Sequence, residues 1–500
     1  MPDSVTIPRL LRQQSAARGD HLLLVCDSDR ITYAEADRRS AALARGLVAL
    51  GAGKGTHIGL IYPNGVPFVV GMLAAARIGA VVVPFSTFAT ASEIHRQLVH
   101  ADVEILLAAP SFRSHNYVQR LGELPPSPQL RHRIHDVGHL TDVVDDALFA
   151  AMEDDVDVAD ELAIIYTSGS TGNPKGVVHA HGALLQHQHN LNEIRGLRAQ
   201  DRLFCNSPFF WIGGFAFGLL ATLVAGSTLI CSTAVDAGET LDLLEAEKPT
   251  LTNGFAAGVG HLARHPSFPD RDLSSMRRGN LYPIVAPDAR PADPELRHNM
   301  LGMTEAGGVV LLSGDQTDQP EHRRGSFGKP APGFDTKVVD PDSGQPTMVG
   351  ELCIRGPYLM QRYYRRSREE CFAPDGWFHT GDLVRIDSDG FFYFVGRLDS
   401  MIKTAGANVS PTEVEKAIAK VTGGAVSFVV GIPDPQRGQQ VAAVVVRGDG
   451  GHFDEYALRQ QLKSELSAYK IPARFVAVCE VPLLSSGKVD LNQLKKLFDD

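Results

Sequence analysis

A short segment rich in hydroxyl groups and glycine, YTSGSTGNPKG at residues 166–176, carries the strongest chemical signal in the sequence. Glycine lets backbone N–H groups turn inward and the hydroxyl groups add further donors, so such a loop can surround a polyphosphate. It is not a Walker-type phosphate loop, because the spacing differs and no helix is predicted to begin at the lysine. By composition alone, an exposed Ser/Gly surface loop fits the segment about as well. The candidate nucleotide ligands here are Thr167, Ser168, Gly169, Ser170, Thr171, Gly172 and Lys175.

Three further short motifs contain charged or hydroxyl side chains that a nucleotide could use. They are GMTEAGG at 302–308, TGD at 380–382 and SSGKVD at 485–490. Each has an ordinary structural interpretation when taken singly. A Thr-Glu pair is often a helix cap, an Asp after Gly is often a turn residue, and a lysine in a terminal segment is usually a solvated charge. The complete set and its order along the chain are more specific than any one motif.

Together with the loop, these motifs resemble the signature motifs of the adenylate-forming superfamily. That superfamily contains acyl-CoA synthetases, peptide-synthetase adenylation domains and beetle luciferases. The resemblance covers nearly the whole chain, from ITYAEADRRSAALARGL at Ile31 to the segment that ends at Asp490. It implies an enzyme that joins a carboxylic acid to coenzyme A through an acyl-adenylate, with ATP, Mg²⁺ and coenzyme A as the required small molecules.

The resemblance also implies roles for residues around the nucleotide. Thr304 would donate to the α-phosphate, and Glu305 would hold Mg²⁺ directly or through water, which offsets the repulsion between the acid and the phosphates. Asp382 would accept both ribose hydroxyls, and Arg397 would contact ribose and phosphate. Lys488 would be the catalytic lysine that bridges the attacking carboxylate and the α-phosphate. Gly302, Thr304, Glu305, Asp382, Arg397 and Lys488 complete the implied set.

A second group of residues concerns the thiol step. Relatives rotate a small C-terminal domain about a short polar hinge between two half-reactions, and Asp399 falls at the hinge position. Ser400 departs from the family pattern, which commonly has Asp there. The segment at 402–415 would line the thiol tunnel, where Gly406 would allow close approach of the pantetheine arm and Lys403 would lie nearby.

The acid pocket is predicted from the segment NSPFFWIGGF at 206–215. Amino-acid-activating relatives have an Asp in the equivalent segment, and many acyl and aryl ligases have His where this chain has Trp211. A buried substrate ammonium without a carboxylate would be costly, so amino acids are disfavoured. The apolar wall suits a bulky or long acid, either fatty, aryl or polycyclic, although any one of these aromatics is more typical of a core. The predicted pocket residues are Phe210, Trp211, Gly213, Gly214, Gly279 and Gly307.

Two departures from the family pattern suggest that the acid and adenine pockets are reshaped. The segment that usually reads GGAP is GNLY at 279–282, and Leu301 stands where relatives often have Tyr.

The strands and helices around these motifs must position them. In the sequence, apolar runs typical of strands alternate with patterns typical of helices. Strands are predicted at 57–62, 79–84 and 162–166, and a helix is predicted at 66–77. This alternation is typical of α/β architecture with largely parallel sheets. From about residue 325, short strands separated by Gly, Pro and Asp turns predict a β-rich subdomain.

The expected fold is therefore α/β, in two domains. Residues 1–396 form a large N-terminal adenylation domain of α/β subdomains, which ends in the β-rich subdomain at about 325–396. Residues 397–500 form a small mobile α+β domain, with its hinge near Asp399 and helices predicted at 411–420 and 456–467.

Composition limits the classes of partner and the location. Lys plus Arg number 48 against 58 Asp plus Glu, and this net charge of −10 argues against a general nucleic-acid binder. The six cysteines form no CxxC pair and have no His at metal-site spacing, which predicts isolated buried thiols in a reduced compartment. His179 and His181 lack a third ligand, so they are interpreted as core or pocket-wall residues.

No signal peptide or membrane span is predicted, so a cytoplasmic location is expected, with peripheral membrane contact and a homodimer left open. Two alternatives to an acyl-CoA ligase remain. One is an acyl-AMP ligase that loads a carrier protein, and the other is a non-catalytic nucleotide or acyl binding protein. The absence of an insertion between 350 and 381 favours coenzyme A, and the retained charged motif residues favour an enzyme.

Overall fold

The computed structural model describes residues 5–140, 144–167, 175–341, 343–398, 401–447, 454–482 and 489–499. The helices are α1 Ile7–Arg18, α2 Tyr33–Ala49, α3 Val66–Arg77, α4 Ala91–His100, α5 Tyr117–Gly122, α6 Asp146–Asp154, α7 His181–Arg195, α8 Ile212–Gly214, α9 Ala221–Ala225, α10 Ala237–Glu247, α11 Gly260–Ala263, α12 Pro411–Thr422, α13 Glu455–Leu462 and α14 Leu491–Lys496.

The strands are β1 Leu22–Cys26, β2 Asp29–Thr32, β3 His57–Ile61, β4 Val81–Pro84, β5 Ile105–Ala108, β6 Ser111–Phe112, β7 His115–Asn116, β8 His132–Ile134, β9 Glu161–Thr167, β10 Lys175–Ala180, β11 Arg202–Cys205, β12 Thr228–Cys231, β13 Leu251–Asn253, β14 Arg278–Gly279, β15 Leu301–Met303, β16 Gly308–Leu312, β17 Lys329–Pro330, β18 Asp335–Val339, β19 Val349–Arg355, β20 Arg362–Tyr363, β21 Phe378–Ile386, β22 Phe392–Arg397, β23 Ile402–Thr404, β24 Ala407–Val409, β25 Ser427–Asp434, β26 Gly438–Val446 and β27 Arg474–Val478.

Two mainly parallel sheets form the centre of the molecule. One has the strand order β14-β13-β11-β12-β1-β2, and only β1 and β2 run antiparallel. The other has the order β20-β10-β9-β4-β3-β5-β8, in which β10 pairs antiparallel with both its neighbours. Strands such as VVVP in β4 and ILLA in β5 are buried along their whole length, as expected for parallel strands covered on both faces.

The remaining sheets are smaller. Strands β18-β19-β21-β22 form an antiparallel sheet within the segment that is predicted to be β-rich, and β15-β16-β17 form a short one. In the C-terminal part, β24-β23-β26-β25 make one sheet, with β27 parallel to β26 and α12 and α13 packed together. The α/β class and the large and small domains are therefore confirmed, whereas the boundary at 396 stays a prediction.

The sequence patterns locate most elements well. Helix α3 has the predicted bounds, and β3, β4 and β9 lie within a residue or two of their predicted positions. The helix predicted at 456–467 ends at Leu462, because Ser464 donates from its hydroxyl to the Gln461 carbonyl and a turn replaces the last helical residues.

The cysteines are all free, but the prediction of buried thiols holds for only four of them. Cys371 is partly buried and Cys479 is exposed, whereas Cys26, Cys205, Cys231 and Cys353 are buried. Cys353 also lies 3.5 Å from Nδ1 of His379, a contact between neighbouring strands that spacing along the chain does not indicate. Among the helices that the structure describes, none is long and apolar enough to cross a lipid bilayer.

Candidate active site

Two cavities meet at the carboxyl end of β9. The first, of about 440 Å³, lies between the ends of β11 and β13, the segment at 300–309 and the C-terminal domain. The second, of about 390 Å³, lies between β15, β21 and β22 and is mainly polar. Five residues line both cavities, namely Thr167, Gly302, Met303, Thr304 and Asn408. Molecules bound in the two cavities would therefore meet at these residues.

Glu305 lines the polar cavity, where Tyr363 orients its carboxylate. The Tyr363 hydroxyl donates to Glu305 Oε1 over 2.7 Å. Burial and the Glu305 charge raise the pKa of Tyr363, so the phenol stays protonated and remains a donor. Lys175 begins β10, and its Nζ lies 5.1 Å from the centroid of the Tyr363 ring. A carboxylate and an ammonium thus line the same polar cavity on either side of one ring.

A buried histidine fixes the backbone of Thr304. His179 is fully buried, and burial lowers the pKa of its imidazole to about 4, so the ring is neutral at pH 7. Because a carbonyl can only accept, Nε2–H donates to the Thr304 carbonyl over 2.7 Å. His181 is also fully buried, and its Nδ1 accepts from the Ile7 N–H. Both histidines are therefore core residues, as predicted.

Asp382 and Arg397 are directly paired residues of β21 and β22. Asp382 is 4% exposed, and its Oδ1 lies 3.5 Å from Arg397 Nε. The turn before Asp382 is fixed by Glu351, whose Oε1 accepts from the Gly381 N–H over 3.0 Å. The Asp382 N–H donates to the Thr380 hydroxyl, also over 3.0 Å. This network presents an acidic acceptor and a guanidinium side by side to the polar cavity.

Apolar and aromatic side chains form one part of the wall of the first cavity, beside its polar residues. Trp211 and Phe217 line it, and Gly213 lines it without a side chain. Trp211 also belongs to an aromatic cluster in which Phe88, Phe210, Phe255 and Tyr469 make edge-on or tilted ring contacts, with centroids 5.4–6.3 Å apart.

Four predicted pocket residues lie outside the lining of both cavities. Phe210 is buried and contacts Phe88 and Trp211. At Gly214 a Cβ would overlap the Pro208 carbonyl, and at Gly279 it would overlap the Thr252 carbonyl. Gly307 adopts φ +67° and leaves no space for a Cβ beside Leu184. These three glycines therefore allow neighbouring backbone or side-chain atoms to pack closely against them, whereas Gly213 leaves space in the cavity.

The hairpin of β23 and β24 carries the two residues implied in the thiol step. Gly406 lines the first cavity with φ +84°, and a Cβ there would overlap the Phe255 ring. Lys403 lines the polar cavity, and its Nζ lies 4.3 Å from the centroid of the Phe394 ring. Burial lowers the pKa of Lys403. The hairpin therefore reaches both cavities.

A buried ion cluster links the C-terminal domain to helix α4. Lys470 Nζ lies 2.9 Å from Glu93 Oε1 and 2.8 Å from Glu413 Oε1, and all three side chains are about 10% exposed. The Ser467 hydroxyl donates to Glu93 Oε2 over 2.6 Å. Burial alone would lower the pKa of Lys470, but its neighbours raise it. Glu93 and Glu413 also line the first cavity, where Lys470 offsets part of their charge.

We expect Lys470→Met to slow the thioester step selectively. Removal of the ammonium leaves two buried carboxylates without their cation, at a cost of about 3–5 kcal/mol, and this weakens the contact that holds the β23–β24 hairpin in the cavity. The CoA-dependent conversion of a supplied acyl-adenylate should fall at least about tenfold, while ATP–pyrophosphate exchange changes little. Lys463→Met, at an exposed lysine of the same domain, is the matched control. Equal loss of both half-reactions would contradict this positioning role.

Several predicted site residues lie outside the described residues. They are Ser168, Gly169, Ser170, Thr171 and Gly172 of the loop, the hinge residue Asp399 and the catalytic candidate Lys488. The predicted nucleotide residues that are described, namely Thr167, Lys175, Gly302, Thr304, Glu305, Asp382 and Arg397, all line the polar cavity.

Sequence reasoning missed three supporting groups. Tyr363 and His179 orient Glu305 and Thr304, and the Glu93–Lys470–Glu413 cluster joins distant segments. Glu93 and Glu413 carried a local signal, since each stands three residues after a helix N-cap, Thr90 for α4 and Ser410 for α12.

Comparison with known proteins agrees with this architecture. Residues 11–364 match the family model described as AMP-binding enzyme, and residues 413–488 match the AMP-binding enzyme C-terminal domain. The chain is 33% identical to a feruloyl-CoA synthase from an Amycolatopsis species, over 94% of each protein. It is 30% identical, over 99% of each, to a Mycobacterium tuberculosis protein named 3-[(3aS,4S,7aS)-7a-methyl-1,5-dioxo-octahydro-1H-inden-4-yl]propanoyl:CoA ligase.

Among solved structures, the o-succinylbenzoate CoA synthetase of Bacillus subtilis has the same fold. It superposes with a TM-score of 0.81 over 99% of each chain, at 24% identity. The chain therefore belongs to the AMP-binding enzyme family, and it is an adenylate-forming enzyme most similar to acyl-CoA synthetases.

Proposed function

We propose that this protein is an ATP-dependent acyl-CoA ligase for a bulky, mainly apolar carboxylic acid. In the first step the carboxylate attacks the α-phosphate of ATP, which gives acyl-AMP and releases pyrophosphate. In the second step the thiol of coenzyme A attacks the acyl carbonyl, loses its proton and displaces AMP.

The observation that carries this proposal is the contact between an apolar and a polar cavity. An acid in the first cavity would have its carboxylate next to Thr167, Gly302 and Thr304, which also line the polar cavity. A nucleotide there would have its phosphates near Lys175 and Glu305 and its ribose near Asp382 and Arg397. This arrangement supports attack of the carboxylate on a phosphate, since both reactants would be held at one junction.

Glu305 fits the role of a Mg²⁺ ligand. Its carboxylate faces the polar cavity, and Tyr363 occupies only Oε1, while Mg²⁺ prefers oxygen ligands. When bound, the ion would neutralise charge on the phosphates during transfer. Glu305 would then hold the ion, Tyr363 would keep the carboxylate oriented, and His179 would fix the backbone of Thr304 near the α-phosphate.

The apolar cavity supports the choice of acid. Trp211 and Phe217 offer flat apolar surfaces, and Gly213 leaves space beside them. The segment at 206–215, which supplies Trp211 and Gly213, contains no Asp or Glu, so it offers no carboxylate to pair with the ammonium of an amino-acid substrate. The feruloyl and indanedione-propanoyl relatives act on ring-bearing acids according to their names, which supports an aryl or polycyclic substrate.

The thiol is proposed to be coenzyme A, with a carrier-protein thiol as the alternative. Gly406 at the cavity wall supports access of a slender arm such as pantetheine, and that arm is common to both thiols. The names of the relatives favour coenzyme A.

A product assay over fatty, aryl and polycyclic acids tests the proposal. We expect AMP and acyl-CoA to form when ATP, Mg²⁺, coenzyme A and a ring-bearing acid are all present. Release of ADP, or release of no nucleotide with any acid, would contradict the proposed reaction. AMP release that depends on an acyl-carrier protein and not on coenzyme A would instead support the carrier alternative.

A further inference from the structure

A buried asparagine amide at the end of a central strand faces the acid cavity. Asn253 is the last residue of β13, and it pairs in register with Cys205 at the end of β11. It is 5% exposed and lines the cavity. Ligands of open α/β sheets bind outside the carboxyl ends of the strands, and this residue lies at such an end.

The side chain of Asn253 has almost no protein partner. Within the described part of the chain, its one side-chain hydrogen-bond contact is a weak one, 3.9 Å from Nδ2 to Cys205 Sγ. A buried amide without hydrogen-bond partners destabilises a protein by about 1–3 kcal/mol. Such an amide is therefore expected where a bound ligand supplies the missing partner.

Two neighbouring asparagines, Asn206 and Asn280, differ from Asn253 because their amides are hydrogen-bonded to the protein backbone. Asn206 accepts from the Phe255 N–H over 2.9 Å and donates to the Phe255 carbonyl over 3.0 Å. Asn280 accepts from the Gly254 N–H over 3.1 Å and donates to the Gly254 carbonyl over 2.7 Å. Both amides therefore donate one bond to the loop that follows β13 and accept one bond from it. That loop is therefore held without Asn253, which leaves the Asn253 amide available to a ligand.

We propose that Asn253 recognises an oxygen substituent on the body of the acid. This inference rests on the proposed function. An amide offers both a donor and an acceptor, so a hydroxyl could donate to Oδ1, and an ether or ketone oxygen could accept from Nδ2. An amide with unused hydrogen-bonding groups, close to apolar residues such as Trp211, Phe217 and Val309, would fix the orientation of the ring and select oxygenated over plain hydrocarbon acids.

The test compares three matched acids in ATP–pyrophosphate exchange: 3-phenylpropenoic acid and its 4-hydroxy and 4-methoxy derivatives. We expect the wild type to prefer at least one oxygenated acid by about tenfold or more in kcat/KM, because an unsubstituted acid leaves the amide unpaired. Preference for the hydroxy acid alone indicates a bond to Oδ1. Equal preference for the methoxy acid indicates a bond from Nδ2.

Asn253→Leu, with a similar volume and no polar atom, should abolish this preference while exchange with the unsubstituted acid is retained. Asn253→Ala provides a second variant with the same expected loss of preference if the leucine does not fold. Met300→Leu alters the same cavity without changing a hydrogen-bonding group, so it should change kcat/KM by the same factor for all three acids.

An oxygen preference that is absent in the wild type, or that persists in both Asn253 variants, would overturn the inference alone. Absence of exchange with these three acids, when other acids of the product assay are activated, would also overturn the inference alone. Absence of exchange with every acid of that wider assay would overturn the proposed function and the inference with it.

Discussion

Lys488→Ala is expected to lower ATP–pyrophosphate exchange by about 10²- to 10³-fold, the loss typical of removing one group that stabilises charge in a transition state. The carboxylate and the α-phosphate are both anions, and an ammonium between them would hold them together and offset charge as pyrophosphate leaves. Lys488 lies outside the described residues. The residues after it, Val489 and Asp490, line a cavity together with Arg397 and Lys403, and the last two also line the polar cavity.

This role predicts that the two half-reactions are affected to different extents. Conversion of a supplied acyl-adenylate to acyl-CoA should fall much less than exchange in Lys488→Ala, whereas Lys470→Met should show the opposite pattern. Lys496→Ala removes an exposed lysine near the same end of the chain, so it should leave both rates close to wild type. Wild-type exchange in Lys488→Ala would refute the assignment of the catalytic lysine.

Local patterns predicted the elements that hold the site, because those elements depend on nearby residues. The mainly apolar run at 66–77 predicted α3 with the observed bounds, and the strand before the loop was predicted to within a residue at each end. The motif residues that the structure describes reach one cavity, although the strands that carry or flank them belong to three different sheets.

The supporting contacts could not be predicted in this way. Tyr363 lies 58 residues from Glu305, and Lys470 lies 377 residues from Glu93. No periodicity or turn signal connects such positions, and only the completed tertiary packing brings them together. The same limit explains why Gly279 and Gly307 were predicted as residues of the acid pocket, whereas the structure uses them for close backbone approach and packing.

Replacement of Asp382 should weaken nucleotide binding through the ribose. Hydrogen bonds to a charged group contribute about 1.5–3 kcal/mol each, so loss of the carboxylate that would accept two ribose hydroxyls should raise the KM for ATP by about 10²-fold in Asp382→Ala. Asp382→Asn keeps the shape and removes the charge, so a smaller increase of about tenfold is expected. The measurement is pyrophosphate exchange at varied ATP.

A nucleotide analogue separates this role from a purely structural one. If Asp382 accepts both ribose hydroxyls, the wild type should use 2′-deoxy-ATP much less efficiently than ATP. Asp382→Ala should lose most of that discrimination, because it already lacks the bond to the 2′-hydroxyl. Asp389→Asn is a suitable control, because Asp389 lies in the exposed turn between β21 and β22, where it pairs with Arg323. A variant that binds ATP more weakly yet still discriminates against the deoxynucleotide as strongly as the wild type would place the ribose elsewhere, and Asp382 would then act only by holding Arg397.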